Sequence, residues 1–221
     1  MKDRYELIVF DWDGTLCDSV GWIVTCLQQA ARQTGLAPPD DRAARSVIGL
    51  SLQGAMDLLY PGAPETTAQQ LLTHYRQAYY DRSGQPVPLF EGVPDMLATF
   101  RDRGYRLAVA TGKARSGLDR ALAETGTQAV FDATRCADET ASKPHPRMVD
   151  ELLAELEVPR HRALLVGDSL HDLLMARNAA VDAIAVSCGA NTAGELAELN
   201  PLACLESAAD LLNLFFAQET E

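Results

Sequence analysis

The chain has 221 residues, 47% of them hydrophobic, and a formal net charge of −12 at pH 7. That length can bury a substantial core as one domain or two small ones. The charge repels nucleic acid and anionic lipid and excludes both as partners, most sharply from Asn178 onward, where seven Asp and Glu face no Lys or Arg.

In chain order, the apolar run Leu7-Ile8-Val9-Phe10 predicts a short buried strand that carries Asp11 and Asp13 to its C-terminal end, followed by Gly14-Thr15-Leu16. Alternating carboxylates there suit Mg²⁺, a hard cation that takes oxygen ligands. Gly14 lets the backbone turn sharply and aim N–H groups at an anion. The next strand-like run does not arrive until Tyr105. Between them, helical patterns cover Val20–Thr34, Leu52–Leu59 and Thr66–Tyr80, with breakers at 35–39, 60–64 and 84–88. A crossover needs one helix, so the others form an inserted all-helical module.

From Gly92 the pattern alternates. A helix runs to Arg103, a strand covers Tyr105–Thr111, a helix Ser116–Thr125, and a short strand lies near Val130. A helix Met148–Leu156, a strand ending at Asp168, a helix Leu170–Ala179 and a strand Ala183–Ser187 follow. This predicts an α/β fold, a doubly wound parallel sheet with a small helical insertion. The expected core is residues 1–15 with 86–221, and the insertion is 16–85. In open α/β sheets ligands bind outside the carboxyl ends of the strands. Asp11 and Asp13, Thr111-Gly112-Lys113, and Gly167-Asp168-Ser169 with Asp172 should therefore share one crevice.

The five cysteines are scattered and odd in number, which argues against a disulfide framework. His74 sits in a polar helical pattern, His145 between two prolines and His161 in a loop; only His171, near Asp168, is close enough in sequence to touch the site, and a surface role is expected for it. The N-terminal apolar run is too short for a signal peptide and no stretch is long enough to span a bilayer, so a cytoplasmic location is expected.

The ordered set Asp11-x-Asp13-Gly14-Thr15, Thr111, Lys143 and Gly167-Asp168-Ser169-x-x-Asp172 resembles the haloacid dehalogenase superfamily of phosphohydrolases. Asp13-Gly14-Thr15-Leu16-x-Asp18-Ser19, with Lys143-Pro144-x-Pro146, is most similar to its phosphoglycolate-phosphatase-like branch. The insertion resembles that superfamily's small helical cap. Trp12 stands where Phe, Leu or Met is more usual, with its side chain expected to point away from the phosphate.

The resemblance implies a Mg²⁺-dependent phosphomonoester hydrolase. Asp11 is then the nucleophile, and Asp13 the acid that becomes the base. Asp11, the Asp13 carbonyl and Asp168 hold the metal. Thr111, Gly112 and Lys143 bind phosphoryl oxygens. Ser169 and Asp172 stand behind them; Asp172 either orients Lys143 or a metal-bound water, or simply places charge in the first turn of its helix. Only three residues of the chain are lysine, against sixteen arginines, and two of the three, Lys113 and Lys143, fall in or beside these motifs.

The expected substrate is a small phosphorylated metabolite, 2-phosphoglycolate first, with pyrophosphate or sugar phosphates behind it. A phosphomutase usually has Val or Ile where Thr15 stands, and a dehalogenase lacks the second carboxylate. A phospho-accepting signalling module, the non-enzymatic alternative, carries its acceptor after a middle strand. The segment Arg45–Leu52 is either a specificity loop reaching the core or an ordinary connection between two helices. Arg45 is expected to meet a substrate carboxylate, with Arg115 as the alternative. The expected state is a monomer or weak homodimer.

Overall fold

A computed structural model describes residues 1, 4–81 and 87–217. The breaker residues 84–86, the expected domain boundary at 85/86 and Lys2 lie outside the described residues. Among those described, six strands form one parallel sheet: β1 (Leu7–Phe10), β2 (Arg106–Thr111), β3 (Ala133–Cys136), β4 (Ala163–Gly167), β5 (Asp182–Val186) and β6 (Cys204–Leu205), in the order β3-β2-β1-β4-β5-β6. The Lys143–Pro144 peptide is cis.

Helices cover both faces, which is why the central strands are apolar at every position. Alternation along the strands divides the core. Ile8, Phe10, Leu107, Val109, Leu164 and Val166 pack with α5 (Val93–Asp102), α6 (Arg115–Thr125) and α10 (Leu211–Phe216). Leu7, Val9, Ala108, Ala110 and Leu165 pack with α7 (Arg147–Glu155) and α8 (Leu170–Asn178).

After β1 the chain builds four helices, α1 (Val20–Thr34), α2 (Asp41–Ser46), α3 (Leu52–Leu59) and α4 (Glu65–Tyr80). They have an apolar cluster of their own, in which Ile23, Leu27 and Ala31 of α1 meet Met56 of α3 and Leu71 of α4. Asp40 caps α2 by accepting from the Ala43 amide at 2.7 Å, and Ser51 caps α3 through the Gly54 amide at 3.1 Å.

Two expectations need correction, and one stretch was left without any. Arg45 and Ser46 end α2 rather than beginning a loop; with only Ala44 buried, six residues show no helical periodicity. The strand expected near Val130 is β3, three residues later. Val130 closes a turn onto the Thr127 carbonyl at 3.0 Å, and pairing starts where the Asp132 amide reaches the Leu107 carbonyl at 2.7 Å. Beyond Ser187 the fold adds α9 (Ala193–Ala197), β6 and α10, which the sequence reading left unassigned. Among the described residues no helix is long and apolar enough to cross a membrane.

Candidate active site

The register aligns Phe10 with both Val109 and Val166. Asp11, Thr111 and Asp168 therefore leave the sheet at one level, where the strand order reverses and a doubly wound sheet opens a crevice. Past Asp11 the chain folds back at once: the Leu16 and Cys17 amides both donate to the Trp12 carbonyl at 3.0 Å. Gly14 makes this turn at φ 82°, and a Cβ there would collide with the Asp168 carboxylate. The close approach leaves room only for glycine.

Asp11, Asp168 and Asp172 are all buried, with one oxygen of each lying within 4.8 Å of the others. Lys143 Nζ stands 2.7 Å from Asp11 Oδ1 and 2.6 Å from Asp172 Oδ1, itself fully buried. Asp172 Oδ2 accepts from Ser169 Oγ at 2.5 Å and from the Ser169 amide at 3.1 Å. Ser169 and Asp172 form the capping box of α8. One carboxylate thus contacts both the helix start and the lysine.

Asp168 accepts from Thr15 Oγ1 and from the Ala190 amide, both at 2.7 Å. Burial, and after it the Asp172 charge, pushes its carboxyl up to about 7. Asp11 is raised well above the carboxylate range, chiefly by burial; the Lys143 ammonium opposes the shift, and Asp172 and Asp168 add to it. Asp11 Oδ2 is buried with no hydrogen-bond partner. Three converging acids, one ammonium and a bare carboxylate oxygen form a site with oxygen ligands and a charge deficit that a small divalent cation fits.

Asp13 is gripped on both oxygens. Ser19 Oγ donates to Oδ1 at 2.6 Å, and Lys113 Nζ stands 2.9 Å from Oδ2. The same ammonium donates to the Tyr79 hydroxyl of α4 at 2.8 Å. Burial works against its charge, yet Asp13 and the neighbouring tyrosines keep Lys113 raised well above the ordinary lysine value. This bridge is absent from the sequence reading, which placed Lys113 beside the phosphate motifs but gave it no partner.

Gly112 lies against the Gly49 and Leu50 carbonyls, where a Cβ would clash. The segment after α2 therefore does reach the core. Ser142 Oγ receives the Ser51 amide at 2.8 Å, and His171 Nε2 lies 2.9 Å from the Ser46 carbonyl. Between the helical layer and the sheet is a cavity of about 540 Å³, lined by Asp11, Asp13, Thr111, Gly112 and Lys113 from below and by Ile48, Leu72, Tyr75, Arg76 and Tyr79 from above. The last four share one face of α4, a spacing that could have flagged them.

The two arginines expected at the substrate lie elsewhere. Arg45 is exposed and donates to the Gly189 carbonyl at 3.1 Å. Arg115 forks onto Glu139 at 2.8 and 2.7 Å and pairs with Asp119 at 3.2 Å. Neither lines the cavity. Trp12 is fully buried, edge-on to Phe131.

Buried acids at the ends of parallel strands, under a helical layer, define a doubly wound α/β domain with its site at the switch point. The profile of the family described as "haloacid dehalogenase-like hydrolase" matches residues 8–186, and the chain belongs to that family. It is 32% identical over 210 residues to "Probable phosphatase IndB" of Dickeya dadantii, covering 93% of this chain and 91% of that one. It is 27% identical to a protein named phosphoglycolate phosphatase from Nitrosococcus oceani, across 97% and 98% of the two chains. A pyrophosphatase PpaX of Bacillus cereus is 28% identical across 95% of each. In structure, a hydrolase from Pseudomonas syringae superposes with a TM-score of 0.87 over 99% of both chains at 23% identity, a likeness of fold.

Proposed function

We propose that this family phosphatase hydrolyses a small phosphomonoester with the help of Mg²⁺, through a phosphoryl group carried on Asp11. The observation that carries this is Asp11 itself, a buried carboxylate at the mouth of the sheet with one oxygen bare and the other 2.7 Å from Lys143. Asp11, Asp168 and the Asp13 carbonyl would hold the metal. Bound there, Mg²⁺ supplies positive charge between an anionic nucleophile and an anionic ester.

The chain's own residues do the rest. Asp11 Oδ attacks phosphorus as the ester P–O bond breaks, giving an aspartyl phosphate, and Asp13 passes a proton to the departing alkoxide. Asp13 then takes a proton from water, whose oxygen attacks phosphorus and frees phosphate and Asp11. Thr111 Oγ1 and the Gly112 amide face the phosphoryl oxygens, and Lys143 holds Asp11 in line. Residues 16–85 act as the cap that keeps bulk water out.

Two results test this. After chelation, turnover of p-nitrophenyl phosphate should vanish and return with Mg²⁺ or Mn²⁺, while Ca²⁺, with its looser shell, should bind and inhibit. Acid-quenched enzyme should retain radiolabelled phosphate on Asp11, and hydroxylamine should release it. Full activity without metal, or label on another residue, would refute the reading.

A further inference from the structure

Resting on the phosphatase reading, and going beyond it to the alcohol half of the substrate, we infer that this cavity takes phosphomonoesters of apolar, ring-sized alcohols rather than of a two-carbon acid. The cap is already seated on the core: the Ser51 amide meets Ser142 at 2.8 Å, and the Tyr79 hydroxyl meets Lys113 at 2.8 Å. The cavity of about 540 Å³ therefore exists with these contacts made. That volume falls in the range of roughly 300–1,000 Å³ typical of pockets for drug-sized ligands. A glycolate moiety would leave most of it filled with water.

The wall opposite the acids is built from Leu72 and Tyr75 of α4, Ile23 and Leu27 of α1, and Ile48 of the segment that follows α2. Such a surface gains from burying a ring. A carboxylate placed against it would lose its hydration without a partner in return. The lining does carry two cations, and neither suits that task. Lys113 is committed to Asp13 and Tyr79, and Arg76 is on the exposed rim. Asp138 on the same lining adds repulsion.

The test compares benzyl phosphate, ethyl phosphate, 2-phosphoglycolate and pyrophosphate on the purified enzyme with Mg²⁺. The three esters leave as primary alkoxides, so intrinsic reactivity does not decide the order. Benzyl phosphate should exceed ethyl phosphate and 2-phosphoglycolate in kcat/KM by about tenfold or more, the scale on which an apolar pocket discriminates by size. Leu72→Asn, checked by thermal melting, should lower the benzyl-to-ethyl ratio several-fold. Equal turnover of benzyl and ethyl esters, or preference for 2-phosphoglycolate or pyrophosphate, overturns the inference and leaves the phosphatase reading intact. Absence of turnover with every compound, p-nitrophenyl phosphate included, removes the phosphatase reading itself.

Discussion

Core and cap meet the same cavity with opposite kinds of side chain. On the sheet side, polar groups are buried and held by one another: Lys143 spans two carboxylates, Asp168 is fixed by a hydroxyl and an amide, and Asp13 by Ser19 and Lys113. On the helical side the wall is mainly aliphatic and aromatic, with Arg76 at its rim. The difference separates two tasks. Handling a phosphoryl group requires charges that are fixed before substrate arrives. Choosing the alcohol requires only a shaped surface, which can vary without disturbing those charges.

The largest expected effect breaks the core side. Asp11→Asn should cut turnover by about 10⁴-fold or more, since it removes the atom that takes the phosphoryl group. Its melting temperature should hold or rise, because one of three mutually repelling buried acids is gone. Initial rates on host-free protein, with thermal melts beside them, decide this. Lys143→Met comes next. It strips the ammonium shared by Asp11 and Asp172, and breaking a buried pair from one side costs about 3–5 kcal/mol. Urea unfolding should show a loss of that order, reduced when Mg²⁺ is present.

The charge deficit also sets a pH dependence. The Asp168 carboxyl lies at about 7 in the fold against 3.8 ordinarily, and Asp11 is raised in the same sense. Between those values the folded state holds more protons than the unfolded one, so stability without metal falls as pH rises. Mg²⁺ needs the ionised acids and offsets their repulsion. The rise in melting temperature on adding Mg²⁺ should thus be larger at pH 8 than at pH 5. An equal rise at both would remove the acids from metal binding.

Much of the core side was legible in the sequence because its groups sit at strand ends. A four-residue apolar run followed by Asp11 and Asp13 announces both the strand and what it delivers, and Gly167-Asp168-Ser169 does the same for β4. On the cap side the spans of α1, α3 and α4 were legible too; what was missed, α2 there and the start of β3 in the core, was missed for physical reasons. The six-residue α2 is too short for periodicity, and β3 carries Thr134 and Arg135 within the strand while apolar Val130 and Phe131 pack as loop. The Lys113–Tyr79 bridge joins residues 34 apart on different layers, a contact that no local pattern encodes. The partner of Arg115 was not legible either, because charge in sequence does not reveal which acid claims it, here Glu139.

Two smaller effects sharpen the line between the layers. Tyr79→Phe removes one hydroxyl that ties α4 to Lys113, and through it to Asp13. A hydrogen bond to a charged group contributes about 1.5–3 kcal/mol, so kcat should fall by roughly tenfold while KM for a small ester changes little. A change confined to KM would instead make Tyr79 part of the binding wall alone.

Arg45→Ala should do least. Its guanidinium is exposed and bound to the Gly189 carbonyl, in the loop whose Ala190 amide supports Asp168. That hydrogen bond is part-buried but long, and Arg45 does not line the cavity, so its loss reaches substrate only through the loop. KM should therefore shift by no more than about threefold, and by the same factor for 2-phosphoglycolate as for benzyl phosphate. A KM raised for 2-phosphoglycolate alone would mean that Arg45 leaves Gly189 to meet a carboxylate. The cap would then choose by charge as the core does, and the division between the two layers would fail where it now looks simplest.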